Sequence, residues 1–157
     1  MALILGTEYC KVDSNGRFKF PIAFKKQLVT DDNRFFIRRG LTPECLELWT
    51  FESFQNEAEL LRKHLSEYNK KDRFLKRMLL RVNPLELDSN DRLFIPQEFK
   101  PILGNAKEIV LQSTGKYIEI WERSAYDKMN DEAIDLESLV NERLGDLYDL
   151  PPAGDAE

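Results

Sequence analysis

An aspartate and an arginine stand four residues apart twice in this chain. They are Asp13 and Arg17 in Val12-Asp13-Ser14-Asn15-Gly16-Arg17-Phe18-Lys19-Phe20-Pro21, and Asp88 and Arg92 in Leu87-Asp88-Ser89-Asn90-Asp91-Arg92-Leu93-Phe94-Ile95-Pro96. A carboxylate at the head of such a stretch accepts backbone N–H bonds across a turn and faces the arginine as an ion pair. A clasped turn is the plain consequence. Lys11, Lys19, Lys25 and Lys26 flank the first turn, whereas Glu86, Asp91 and Glu98 flank the second.

Catalytic chemistry has little to draw on. His64 is the only histidine and lies in a charged helical pattern, so a Ser/His/Asp arrangement lacks its base. Cys10 and Cys45 have no Cys-x-x-Cys spacing and read as two reduced thiols, with neither a disulfide framework nor a zinc site. There is no glycine-rich phosphate loop and no metal-spaced cluster, and the pairs Asp31-Asp32 and Asp131-Glu132 read as solvated loop or cap acids. An enzyme is therefore not expected, nor is a cofactor, a metal or a small-molecule substrate.

The elements that must position the two turns recur with them. Phe24-Lys25 returns as Phe99-Lys100, Phe35-Phe36-Ile37 as Ile109-Val110-Leu111, and Leu46-Glu47-Leu48-Trp49 as Ile118-Glu119-Ile120-Trp121. A module of about 45 residues is thus used twice. Thr7 to Val12 and Arg17 to Phe20 alternate around the turn as a hairpin, with Gly16 supplying a positive φ. Pro21 at a first helical position predicts a short helix through Leu28, and 34–38 and 45–49 predict two more strands. Asp91 in place of the glycine tolerates left-handed φ but adds a negative charge beside Arg92.

Between the repeats, Ser53–Tyr68 reads as one helix. Asn69 caps a second, with Phe74, Leu75, Met78 and Leu79 on its apolar face and Lys70, Lys71, Arg73, Lys76, Arg77 and Arg81 elsewhere. A solvated cationic face accounts for these bases; proximity to phosphates is the sharper alternative. After the second repeat, Ser124 opens another pattern, with Asp127 at the capping-box position and Met129, Ala133, Leu136 and Val140 on one face. The last eight residues read as unstructured. The expected organisation is 7–53 first repeat, 54–82 linking helices, 83–126 second repeat and 127–157 acidic helical tail. Ala2-Leu3-Ile4-Leu5 reads as an exposed apolar strand that pairs either within the subunit or with a neighbour, a subunit contact being the expectation.

At 157 residues with 42% hydrophobic content the chain has enough apolar material for one or two small domains. No run approaches the roughly 18 apolar residues of a membrane span and the start lacks the character of a secretion signal, so a cytoplasmic protein without a membrane partner is expected. Net charge is −5, but unevenly spread: residues 1–82 carry 16 Lys and Arg against 11 Asp and Glu, and residues 83–157 carry 7 against 17. A gathered basic face can attract nucleic acid despite a negative total, because screening acts over about 8 Å at physiological salt.

The duplicated Asp-x-x-x-Arg turn, each copy followed by an apolar strand, proline and short helix and closed by Glu-x-Trp, resembles the MraZ family over nearly the whole chain, including Asn141-Glu142-Arg143-Leu144-Gly145-Asp146-Leu147. The resemblance implies an α+β fold: two AbrB-like swapped-hairpin repeats paired as a pseudo-dimeric β-barrel, with helices between and after them. It also implies a nucleoid-associated, DNA-binding transcriptional regulator. Such a protein assembles into a homo-oligomeric ring and recognises direct repeats in double-stranded promoter DNA upstream of the division and cell-wall gene cluster. Arg17, with Asp13, is the DNA-contacting residue carried over most directly. An arginine there reaches guanine O6 and N7, while Lys11, Lys19 and Lys25 hold phosphates and Asn15 sits at the turn tip. Asp88 and Arg92 are expected to serve mostly structure or assembly. The competing readings are an AbrB-like antitoxin with a toxin partner, and a protein-binding structural ring without DNA.

Overall fold

A computed structural model describes residues 4–42 and 44–148. The chain forms two compact units, Met1–Tyr126 and Asp127–Glu157. The elements of the first repeat are β1 (Thr7–Lys11), β2 (Arg17–Lys19), α1 (Ile22–Lys25), β3 (Arg34–Arg39) and β4 (Leu46–Thr50). Two helices follow, α2 (Phe51–His64) and α3 (Lys70–Leu79). The second repeat supplies β5 (Asn83–Glu86), β6 (Arg92–Phe94), a 3-10 turn over Gln97–Phe99, α4 (Lys100–Leu103), β7 (Glu108–Ser113) and β8 (Ile118–Glu122). Then come α5 (Arg123–Asn130) and α6 (Leu136–Tyr148).

The strands form an antiparallel six-stranded sheet, ordered β1-β7-β8-β4-β3-β5, and a two-stranded ribbon of β2 with β6. The order differs from the local hairpin expected of β1 and β2, which form no ladder with each other beyond an isolated bridge between Val12 and Phe18. Instead β1 pairs with β7 of the other repeat, β5 pairs with β3, and β2 pairs with β6. Burial explains the choice. A lone hairpin ending in a three-residue strand leaves its apolar side wet, whereas the exchanged pairing brings Phe18 and Leu93 opposite each other with 1% and 0% of their surface exposed. At about 25 cal/mol per Å² of apolar area, that burial drives the exchange.

Period-2 alternation holds in the long strands. Phe35 and Ile37 of β3, Leu46 and Leu48 of β4, Ile109 and Leu111 of β7 and Ile118 and Ile120 of β8 join Phe18, Phe20, Phe24, Leu93, Ile95 and Phe99 in one core. The opposite face carries the Glu-x-Trp motifs. Residues two apart on a strand share a face, so Glu47 Oε1 accepts the Trp49 indole N–H at 3.0 Å, and Glu119 Oε1 accepts that of Trp121 at 3.0 Å. Glu47 and Glu119 are cross-strand partners. Arg38 sits 4% exposed beside Glu47, donates to its Oε1 at 2.8 Å, and donates again to the Leu79 carbonyl at the end of α3. Gln112, facing the Tyr126 and Thr7 hydroxyls, occupies the matching place in the second repeat.

Helix boundaries differ from the expected ones where side chains capture backbone groups. Pro21 stands at the N-cap of α1 with ψ 136° rather than at its first turn. The α2 helix begins two residues early, because Thr50 Oγ1 accepts the Ser53 N–H. It ends at His64 rather than Tyr68, because Asp72 accepts the Ser66 N–H and Ser66 Oγ accepts those of Tyr68 and Asn69. Asn69 caps α3 as expected, through Lys71 and Asp72 N–H. No α3 residue is buried, however, and Phe74 and Leu75 of its apolar face are exposed.

The helix expected from Ser124 through Val140 is two. Glu122 takes the Ser124 and Ala125 N–H groups at the start of α5. Asp135 then starts α6 by accepting from the Ser138 N–H and hydroxyl. Of the apolar N-terminal segment, Ile4 is buried and Leu5 exchanges hydrogen bonds with the Gln27 amide. Ile4 therefore packs on its own chain, while the Leu5 side chain stays exposed. Ala2-Leu3 and the last eight residues lie outside the described residues.

Candidate functional site

Each Asp-x-x-x-Arg turn closes by the same local bonds. Asp13 accepts the Asn15 and Arg17 N–H groups at 2.9 Å each, and its own carbonyl takes the Gly16 N–H. Asp88 accepts those of Asn90 and Arg92 at 2.8 and 2.9 Å, and its carbonyl takes the Asp91 N–H. The fourth position must adopt left-handed φ, which Gly16 does at 80° and Asp91 at 59°. Acceptance of the Arg17 N–H, with the Asn15 N–H and the Arg92 and Arg17 charges, holds the Asp13 carboxyl below the usual range. The Arg92 and Asn90 N–H groups, with the Arg17 and Arg92 charges, do the same for Asp88.

A depressed folded-state pKa stabilises the fold above the unfolded value, about 3.9, and that stabilisation is lost as pH falls through the folded value. Asparagine keeps both acceptor bonds but not the charge. Urea midpoints of the native chain and of the Asp13→Asn/Asp88→Asn chain are therefore expected to differ at pH 7 and to converge below about pH 4. A constant gap across that window would refute the assignment.

The ion pair of the clasp is not the expected one. Asp13 faces Arg92 of the other repeat at 3.9 Å, while among the described residues no carboxylate lies within 4.0 Å of Arg17. The exchanged strands account for this. In the β2/β6 register Arg17 opposes Phe94, Phe18 opposes Leu93, and Lys19 opposes Arg92. Phe18 and Leu93 point into the core, so Arg17, Lys19, Arg92 and Phe94 share the exposed face of one ribbon. The Arg17 guanidinium lies 5.7 Å from the Phe94 ring centre, an aromatic platform for an unpaired cation. One bond ties each ribbon end to the opposite turn: the Ile95 N–H donates to the Gly16 carbonyl and the Phe20 N–H to that of Asp91.

The structure thus brings both motifs to one face. Asp13, Asn15 and Lys11 stand at the first turn and Lys19 on the ribbon, all exposed, and Asp88 heads the second turn. Lys25 is the exception: grouped by sequence with the first turn, it reaches the second, with Nζ 2.6 Å from Asp91. The chain crosses over after β2, which carries α1 to the other side. Lys100 and Phe94 are site neighbours that sequence reading left out, although the correspondence of Lys25 with Lys100 was a usable signal. Cys10 and Cys45 are free thiols whose pKa burial raises to about 11 and about 12, with Glu8 and Glu119 adding to the effect. Among the described residues no cluster of His, Cys, Asp and Glu could hold a metal, and no helix is long and apolar enough to cross a membrane.

A duplicated antiparallel α+β module with two aspartate-capped turns and a cationic ribbon defines the class. Residues 78–145 match the family model described as "MraZ protein, putative antitoxin-like". The chain is 34% identical over 151 residues to the transcriptional regulator MraZ of Flavobacterium psychrophilum, spanning 95% of this chain and 96% of the relative. It is 36% identical over 151 residues to that of Christiangramia forsetii, with 92% and 95% covered, and 34% identical over 148 residues to that of Mycoplasmoides gallisepticum, with 92% and 99% covered. The chain belongs to the MraZ family.

Proposed function

We propose that this protein is a sequence-specific DNA-binding transcriptional regulator of the bacterial division and cell-wall gene cluster. In this reading several subunits of a ring contact spaced direct repeats through their first Asp-x-x-x-Arg turn. The observation that carries it is the β2/β6 ribbon, whose exposed face presents Arg17, Lys19 and Arg92 together, with Arg17 free of any carboxylate within 4.0 Å among the described residues. A two-stranded ribbon fits the major groove, about 12 Å wide, where a bidentate arginine reads guanine. Lys11 and Lys19 hold phosphates, and Asn15 offers its amide at the turn tip.

Arg92 is the lesser contact, because Asp13 shares its charge and Asp91 stands beside it. The reciprocal pairing of β1 with β7 and β5 with β3 supports an AbrB-like swapped-hairpin arrangement in which residues 7–53 and 83–126 act as the two halves of a pseudo-dimer. The exposed Phe74, Leu75 and Leu80 of α3 and its end support self-association. A ring makes weak single contacts add through effective concentration.

Fluorescence anisotropy with a duplex from the cluster's upstream region, containing spaced direct repeats, against a scrambled duplex, tests the reading. Selective binding that falls steeply between about 50 and 200 mM salt is expected, since each neutralised phosphate contributes roughly −0.9 to the slope of log K against log salt. Salt-independent affinity would contradict the phosphate contacts, and equal absence of binding to both duplexes would leave a ring that binds only proteins. The antitoxin-like wording of the family description favours a second reading, which co-purification of a small toxin partner would support.

A further inference from the structure

The two turns differ in the lysine that stands over each. Lys25 and Lys100 occupy matching places in the repeats, and each reaches across to the turn of the other. At the second turn Asp91 holds Lys25 in an ion pair of 2.6 Å. At the first turn the matching residue is Gly16, and the Lys100 stem lies against it: a Cβ added there would stand 3.3 Å from both Cε and Nζ of Lys100. Among the described residues no carboxylate comes within 4.0 Å of Lys100.

Lys100 opens onto a groove of about 590 Å³ beside the first turn, which Lys11 and Lys107 also line. Two acids line it as well, and both are engaged. Asp13 accepts its two turn N–H bonds and faces Arg92, and Glu108 pairs with Arg123 at 2.9 Å. The groove therefore offers three ammonium groups with no carboxylate within 4.0 Å among the described residues, directly beside the Arg17 turn. The Val12 N–H donates to the Lys107 carbonyl and so fixes the wall.

We propose that this groove holds backbone phosphate of bound DNA on Lys100, with Lys11 and Lys107 at its rim, so that the basic set at the first turn comes from both repeats. Asp91 withholds the equivalent Lys25 from phosphate at the second turn. The inference rests on the DNA-binding reading above. It makes the asymmetry of the two turns a matter of one residue: glycine leaves its overhead lysine to the ligand, and aspartate occupies it.

The test measures anisotropy of the specific and scrambled duplexes against salt for the full chain and for Lys100→Ala, Lys100→Arg, Lys25→Ala and Asp91→Asn. Asparagine also tolerates left-handed φ, so the last change removes charge without forcing the turn. Lys100→Ala is expected to weaken both duplexes by a similar factor and to flatten the salt slope by about 0.9 for each subunit engaged, with Lys100→Arg restoring it. Lys25→Ala should leave the slope unchanged, and Asp91→Asn should steepen it as Lys25 is released. Urea midpoints of all variants serve as the folding control. A native slope in Lys100→Ala, with selective binding intact and dependent on Arg17, overturns this proposal while leaving the regulator reading in place. So does a slope lost equally in Lys25→Ala, or inorganic phosphate at fixed ionic strength displacing duplex as well from Lys100→Ala as from the native chain. Failure of the native chain to bind any duplex removes both.

Discussion

Arg17→Ala is expected to abolish the preference for the direct-repeat duplex over a scrambled one, while Arg92→Ala keeps most of it. A bidentate arginine–guanine contact is worth about 1–3 kcal/mol, or roughly 5–150-fold per contact, and a ring that engages several repeats loses that factor at each. Residual, salt-sensitive binding to both duplexes should survive in the Arg17 variant, since the lysines remain. The asymmetry follows from partners rather than position, because both arginines lie on the exposed face of the same ribbon. Arg92 stands 3.9 Å from Asp13, so its removal mainly unpairs that carboxylate, whereas Arg17 has no carboxylate within 4.0 Å among the described residues and rests against Phe94. Anisotropy titrations of the two variants decide it, and equal loss in both would mean that the two turns read DNA symmetrically.

The largest stability effect is expected on the far side of the six-stranded sheet. Arg38 and Glu47 have side chains only 5% and 3% exposed and are joined at 2.8 Å. Removing one partner of such a buried pair costs about 3–5 kcal/mol, because the remaining charge is left without compensation. Here the surroundings sharpen the effect. Glu47 also faces Glu119 across β4 and β8, so Arg38→Ala leaves two carboxylates opposed with a cation gone. It also frees the Leu79 carbonyl that Arg38 ties to the sheet. Replacing both partners by apolar residues, Arg38→Met with Glu47→Leu, should recover most of the loss, as buried pairs tolerate hydrophobic exchange. Urea unfolding followed by tryptophan fluorescence is well placed, since Trp49 donates its indole N–H to Glu47. An Arg38→Ala midpoint close to the native one would show that the sheet face relaxes around the lost cation.

What the sequence by itself determined is what sterics and hydrogen bonds within about four residues decide. Asp13 and Asp88 head their turns because a carboxylate reaches N–H groups two and four residues on. Gly16 and Asp91 take left-handed φ because the turn demands it and these residues allow it. The repeat, the inward alternation of β3, β4, β7 and β8, the Asn69 cap and the Glu-x-Trp signature were equally legible, the last because residues two apart on a strand share a face. Only the tertiary structure decided which strand pairs with which. Two similar repeats offer each strand a local and an exchanged partner of nearly equal chemistry, and the choice falls to the exchanged one because it buries Phe18 against Leu93. Everything that crosses between repeats follows from that choice: Arg92 beside Asp13, Lys25 held at the second turn, Lys100 at the first, and one ribbon instead of two hairpins. Arg38 was silent in sequence for the complementary reason. Its counterpart is Gln112, so no repeat signal marked it, and its worth comes from burial against a carboxylate and a carbonyl that only packing brings within reach.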